Sequence, residues 1–209
     1  MLGPLRNQIK SVRFILASSS PRRQEYIKNL GIDAELCPST FDETTIIPTD
    51  YNSYDEYVKA IANGKAEEVE TRLQNDLKDT KYCIIGADTI VTMNNKIYGK
   101  PKDENDAFRI LSELNGQSHV VYTGCVLKFN DKVLKFSEST KVFFGKLTEE
   151  QIKAYIETKE PLDKAGAYGI QGIGGCLIER IDGDYFNVVG FPLYRISAEL
   201  CKAFNYEIK

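Results

Sequence analysis

The chain has 209 residues, 42% of them hydrophobic and 27% charged, with a net charge of -3. This is the balance of a soluble globular protein with enough length to bury a sizeable core, and it lacks the general basic field of a nucleic-acid binder. No apolar run approaches the roughly 18 residues of a membrane span, and the five cysteines (Cys37, Cys83, Cys125, Cys176 and Cys201) have neither metal-ligand nor C-x-x-C spacing, which points to a reducing, cytoplasmic setting.

Residues 1–11 carry no signal-peptide core and read as a loose N-terminal lead before a single domain over 12–209. Val12 to Leu16, apolar except for Arg13, predicts a buried strand. Ala17-Ser18-Ser19-Ser20-Pro21-Arg22-Arg23 follows. Ser20 suits an N-cap and Pro21 the first helical position. Tyr26, Ile27 and Leu30 give a short helix its apolar face, and Gly31 stops it. Free N–H groups, serine hydroxyls and two guanidinium groups at one strand–helix junction suit an anion, phosphate above all. A capped turn with solvated arginines is the plain alternative.

Ile32 to Leu36 predicts a second strand, and Cys37 to Asp50 a long polar loop with Pro38, Pro48 and the pair Asp42-Glu43. A loop of that length in a compact domain is functional or mobile; a solvated pair of charges is the other reading of Asp42-Glu43. Ser53 to Leu73 has helical periodicity in Tyr54, Val58, Ile61, Ala62, Ala66, Val69 and Leu73, opened by a Ser53/Glu56 capping box. Lys65 falls beside this stripe, as a snorkelling lysine or a functional cation. Tyr82 to Val91 is a strand interrupted by Asp88, a carboxylate that needs partners or a task unless it turns the chain. Gly86 leaves room there for a ligand's close approach. Asn94-Asn95 predicts a hairpin, and Gly99-Lys100-Pro101 ends its return strand. A helix opened by Asp103 and Asp106 carries Ala107, Ile110, Leu111 and Leu114 and closes at Asn115-Gly116.

Two long strands, His119 to Phe129 and Val133 to Gly145, follow as a hairpin around Asn130-Asp131. His119 is the one histidine and reads as structural. A His/Cys zinc site is thereby excluded, and a Ser-His-Asp triad has no G-x-S-x-G to support it. Thr148 to Glu157 is a helix boxed by Thr148 and Gln151. Residues 159–175 are rich in glycine without forming a P-loop or dinucleotide fingerprint, so this is either a ligand-hugging loop or an irregular one. Cys176 to Ile181 predicts a strand, and Phe191-Pro192 leads into a last helix with Leu193, Ile196, Leu200 and Phe204 on its face.

The cations Arg22, Arg23, Lys65, Lys100 and Lys164 and the carboxylates Asp42, Glu43, Asp88 and Asp163 all stand at element ends, in loops or beside apolar runs. Such a set, without histidine, suits phosphate chemistry assisted by Mg²⁺ or Mn²⁺, ions that take hard oxygen ligands.

Four motifs in order, Leu-Ala-Ser-Ser-Ser-Pro-Arg-Arg at 16–23, Gly-Ala-Asp-Thr at 86–89, Gly-Lys-Pro at 99–101 and Asp-Lys-Ala-Gly-Ala-Tyr-Gly-Ile-Gln-Gly at 163–172, make the chain resemble the Maf family of nucleoside triphosphate pyrophosphatases. The resemblance implies an α/β fold of the Maf/ITPase-like kind: a mixed twisted sheet flanked by helices, with two lobes and a central cleft. It implies hydrolysis of a nucleoside triphosphate to monophosphate and pyrophosphate with a divalent cation. It also implies Asp88 as proton acceptor for the attacking water, Ser18, Arg23, Lys65 and Lys100 on the phosphates, and Glu43 with Asp88 at the metal. Arg22, Thr89 and Gln171 match positions linked to base choice, and Ala-Tyr-Gly-Ile-Gln resembles the dTTP and UTP branch, with modified pyrimidine nucleotides as further substrates. The implied role is clearing unusual nucleotides, with a link to growth or division arrest and a homodimer as the candidate assembly. Phe191-Pro192 stands where Leu-Pro is usual. Two other readings stay open: a nucleotide- or nucleic-acid-binding regulator of growth or division without turnover, and a phosphatase of small phosphate esters.

Overall fold

The structure is a computed structural model that describes residues 2–205. Its strands are β1 (Arg13–Leu16), β2 (Ala34–Leu36), β3 (Tyr82–Met93), β4 (Lys96–Tyr98), β5 (Ser118–Phe129), β6 (Val133–Phe144) and β7 (Ile178–Asp182). The helices are α1 (Arg6–Lys10), α2 (Pro21–Asn29), α3 (Tyr54–Arg72), α4 (Glu104–Leu114), α5 (Glu149–Glu157), α6 (Tyr185–Val189) and α7 (Leu193–Ala203). Among the described residues the strands pair as one mixed sheet in the order β2-β1-β3-β5-β6-β7, with β4 on β3. This is the α/β class expected. β1 is parallel to both β2 and β3, with Phe14 opposite Ala34 and Leu16 opposite Ile85. The β3–β4 and β6–β7 pairs are antiparallel.

The chain divides into two compact units. The first is Met1–Asp88, Thr123–Glu138 and Gly190–Lys209; the second is Thr89–Tyr122 and Ser139–Val189. In the first, α3 buries Val58, Ile61, Ala62, Ala66 and Val69 on the face its periodicity marks out, and Ala62, Ala66 and Val69 share a core with Ile15, Ala17, Ile84 and Val126. Helix and strand lie so close that a Cβ on Gly86 would sit 2.2 Å from the Ala62 carbonyl oxygen. The room at Gly86, expected for a ligand, is taken by helix backbone. In the second unit Ile110, Leu111 and Leu114 of α4 join Val91, Val121, Phe144, Ile152 and Tyr168 in a separate core.

Three local expectations change. Residues 3–10 are helical rather than a loose lead, because Leu2, Leu5 and Ile9 recur at helical spacing and are buried; Met1 lies outside the described residues. Cys176 is exposed on a 3-10 turn, Ile173–Leu177, so the strand expected from Cys176 begins at Ile178. The glycines packed before it favour a turn over extended pairing. Ser53 caps α3 through the Glu56 N–H, but Glu56 answers the Asn52 N–H rather than that of Ser53, which leaves the expected box half-formed. The box on α5 closes fully between Thr148 and Gln151. The Asn94-Asn95 turn carries positive φ at both residues, as a tight hairpin requires. Among the described residues no helix is long and apolar enough to cross a membrane.

Candidate active site

In the first unit β1 runs into α2 through the serines. Ser20 has extended backbone and makes no side-chain cap bond. Ser18 instead closes the turn before the helix, accepting the Ser20 N–H at 3.2 Å while only 7% exposed. Its hydroxyl also accepts from Arg23 Nη1 at 3.3 Å. The Arg23 guanidinium donates further to the Ala87 carbonyl (Nη1, 2.9 Å) and the Gly190 carbonyl (Nε, 2.9 Å). It is thus fixed by backbone on two sides, beside the strand position that bears Asp88. Burial lowers the Arg23 pKa, opposed first by the charge of Asp88. Arg22, half-buried on the same turn of α2, lowers it further by like charge.

Asp88 is 8% exposed in β3, and its partner comes from α3: Lys65 Nζ lies 2.7 Å from Asp88 Oδ1 and 2.8 Å from Glu43 Oε1. Lys65 therefore ends between two carboxylates, at the edge of the stripe that suggested a snorkelling side chain. Tyr57, on the same helix, has its phenol pKa raised by burial and then by the charges of Asp88 and Glu43.

Glu43 reaches this point from the long loop, which is not shapeless. Asp42 caps a 3-10 turn over Glu43–Thr45 by accepting from Thr44 N–H at 3.0 Å. The Thr44 side chain and then its amide hold the Asp42 carboxyl below its usual range. Of the pair Asp42-Glu43, the first shapes the turn and the second faces Lys65. The loop is tied to α3 by Glu68, which accepts from Ser39 Oγ (2.9 Å), Thr40 N–H (3.0 Å), Thr40 Oγ1 (3.0 Å) and Arg72 Nε (2.9 Å). Phe41 lies across Gly64, where a Cβ would come within 2.4 Å of the ring. Sequence reasoning missed Glu68 because its partners lie in a loop without periodicity. Its one signal is its place three residues after Lys65 on the same helix.

Oxygens of Asp88 and Glu43 converge on a single ammonium, which makes two hard anionic donors aimed at one place. Among the described residues no cluster of three His, Cys, Asp or Glu side chains is built to hold a metal. Two carboxylates nevertheless fit Mg²⁺ or Mn²⁺, which usually bind through one or two carboxylates and draw their other ligands from substrate phosphates and water.

The remaining expected residues belong to the second unit. Thr89, partly exposed, follows Asp88 on β3; Lys100 is exposed just past β4; Gln171 is exposed within the glycine-rich turn. Lys164 is held by the Glu160 carbonyl and by Asp163 Oδ1, both at 2.6 Å, so this cation and carboxylate serve the turn itself. His119 is 1% exposed, with Nε2 2.8 Å from the Tyr168 hydroxyl and the ring edge-on to Phe144, and burial lowers its pKa to about 4. It is a core residue.

A family model described as "Maf-like protein" matches residues 13–203. A dTTP/UTP pyrophosphatase of Clostridium botulinum (strain Alaska E43 / Type E3) is 50% identical over 194 residues, covering 92% of this chain and 100% of that protein. The dTTP/UTP pyrophosphatase of Clostridium novyi (strain NT) is 47% identical, covering 88% of this chain and 94% of its own length. That of Bacillus thuringiensis subsp. konkukian (strain 97-27) is 43% identical, covering 94% and 97%.

Proposed function

The chain belongs to the Maf family, and from that membership we propose that it hydrolyses dTTP and UTP to the monophosphate and pyrophosphate. The observation that carries the reading is Lys65 Nζ held between Glu43 and Asp88, the latter on the strand position next to the Ala87 carbonyl that fixes Arg23. Cations, a serine hydroxyl and a nearly buried carboxylate are the parts that phosphoryl chemistry needs, since its catalysis is chiefly positioning and charge stabilisation.

In the proposed reaction the oxygen of a water bonds to the α-phosphorus, and the bond to the bridging oxygen of the β-phosphate breaks. Asp88 takes a proton from that water. Arg23, Lys65 and Lys100 hold the phosphates and the charge that gathers on departing pyrophosphate, and Ser18 contributes a hydroxyl. Glu43 and Asp88 would hold a divalent cation, which would supply charge neutralisation on the phosphates. Arg22, Thr89 and Gln171 read the base; these roles and that of Lys100 are supported by their match to family motif positions.

The test is the product analysis. Incubation with dTTP and Mg²⁺, followed by ³¹P NMR, should yield dTMP and pyrophosphate, and chelation of the cation should stop turnover. Asp88→Asn should lower kcat by about 10²- to 10⁴-fold, the range of a lost general base. Thymidine diphosphate with orthophosphate, or consumption of monophosphates, would overturn the proposal.

A further inference from the structure

The glycine-rich turn of the second unit is held far more firmly than a stretch of that composition requires. Tyr155, near the end of α5 and 3% exposed, donates its phenol to Glu160 Oε1 at 2.9 Å and accepts the Gly169 N–H at 3.1 Å. Glu160 Oε1 also accepts the Gly174 N–H at 3.0 Å, and its Oε2 accepts the Ile173 N–H at 3.0 Å. One phenol and one carboxylate therefore grip the backbone two residues before Gln171 and again two and three residues after it.

Steric contacts follow the same lines. A Cβ on Gly172 would sit 2.3 Å from Glu160 Oε2, one on Gly174 would sit 2.4 Å from the Tyr155 hydroxyl, and one on Gly169 would meet Lys164 Cε at 2.6 Å. The Lys164 ammonium is itself fastened to the Glu160 carbonyl at 2.6 Å. The glycines are where the backbone lies against its two holders, leaving no space for side chains. Burial keeps the Tyr155 phenol far above its ordinary pKa, so it remains a donor to the carboxylate. Amide-to-carboxylate bonds are of the stronger, charge-assisted kind.

We infer that Tyr155 and Glu160 are positioning residues for base selectivity, holding the turn that carries Gln171 in a single shape. The inference rests on the reading that Gln171 faces the base. A residue that discriminates between bases by hydrogen bonds needs a fixed backbone, because a mobile one adapts to the wrong partner as readily as to the right one. The phenol and carboxylate face the turn's backbone; neither is required to touch the nucleotide.

The experiment uses the full chain and the variants Tyr155→Phe, Glu160→Gln and Gln171→Ala. kcat/KM is measured for dTTP, UTP, CTP and GTP, and amide exchange of residues 168–176 is followed by mass spectrometry. Tyr155→Phe and Glu160→Gln should each speed exchange in the turn and lower the ratio of dTTP to CTP by about 5- to 10-fold, the worth of one net hydrogen bond. Gln171→Ala should lower the ratio as well without speeding exchange. A uniform fall across all four nucleotides, or an unchanged ratio while Gln171→Ala shifts it, overturns the positioning role and leaves the base reading standing. An unchanged panel in Gln171→Ala overturns the base reading, and the inference with it. If Tyr155→Phe fails to fold, Glu160→Gln, an isosteric change at a half-buried side chain, decides the matter by the same ratio.

Discussion

Replacing Lys65 with methionine removes the ammonium from two carboxylates while keeping much of the buried stem. Lys65 and Asp88 side chains are 13% and 11% exposed, whereas Glu43 is 52% exposed. Stripping one partner from a buried pair costs about 3–5 kcal/mol; the exposed Glu43 contact contributes no more than about 1 kcal/mol. Because this pair retains some solvent, Lys65→Met should lose about 2–3 kcal/mol of stability, chiefly through the carboxylate left alone in β3. Asp88→Asn leaves Lys65 paired with Glu43 and should lose about 1 kcal/mol. The double variant Lys65→Met/Asp88→Asn has no lone carboxylate in the strand, so its loss should fall short of the sum by about 1–2 kcal/mol. Urea unfolding followed by circular dichroism, with m held constant across the set, measures all three. Strict additivity, within about 0.5 kcal/mol, would refute the claim that Lys65 and Asp88 depend on each other.

Gly86→Ala should destabilise by about 1–3 kcal/mol or more, because its Cβ meets the Ala62 carbonyl oxygen at 2.2 Å; Gly99→Ala, with nothing within 4 Å, is the control, and equal melting temperatures would argue against the contact. Glu68→Ala removes the acceptor that ties residues 39 and 40 to α3. Residues 38–45 should then exchange their amides faster and the KM for dTTP should rise about tenfold, the effect of a lost charged hydrogen bond. Protected amides and an unchanged KM would remove Glu68 from the account. Burial holds neutral His119 with a pKa of about 4, below its ordinary 6.5. The unfolded chain then binds more protons between those values, so stability is full above about pH 6.5 and falls as pH drops, by up to about 3 kcal/mol near pH 4. NMR titration of the one imidazole checks this, and a midpoint near 6.5 would refute it.

Periodicity carried most of the helices into view. Val58, Ile61, Ala62, Ala66 and Val69 mark α3, and Thr148 with Gln151 marks the start of α5. Asp88 stood out by being a charge inside an apolar run. What periodicity does not carry is any contact between a helix and an irregular segment. Glu68 on Thr40, Glu160 on Gly174 and Ser18 on Ser20 each join a side chain to a backbone amide, and such pairs leave no repeating trace. Gly86 misled for a related reason: a strand glycine announces that something lies close, without saying that it is the carbonyl of Ala62.

The two carboxylates that were hardest to read perform the same kind of work. Glu68 grips the loop that delivers Glu43, and Glu160 grips the turn that carries Gln171. Each satisfies backbone amides in segments that pair with no neighbouring strand, which is how irregular chain keeps a defined shape. The site itself follows a charge argument. Arg23 and Lys65 balance Glu43 and Asp88 before any substrate arrives, and the ammonium spends two of its three donors on carboxylates. A triphosphate brings negative charge that these four groups do not offset, and it competes with both carboxylates for Lys65. A divalent cation at Asp88 and Glu43 would answer both demands, occupying the carboxylates and freeing the ammonium for phosphate. Lys65→Met should therefore weaken dTTP binding in Mg²⁺, and chelating the cation should weaken binding by the unmodified protein, whose ammonium is then held by the two carboxylates; an affinity unchanged by chelation would show that the lysine is available to phosphate regardless of the metal.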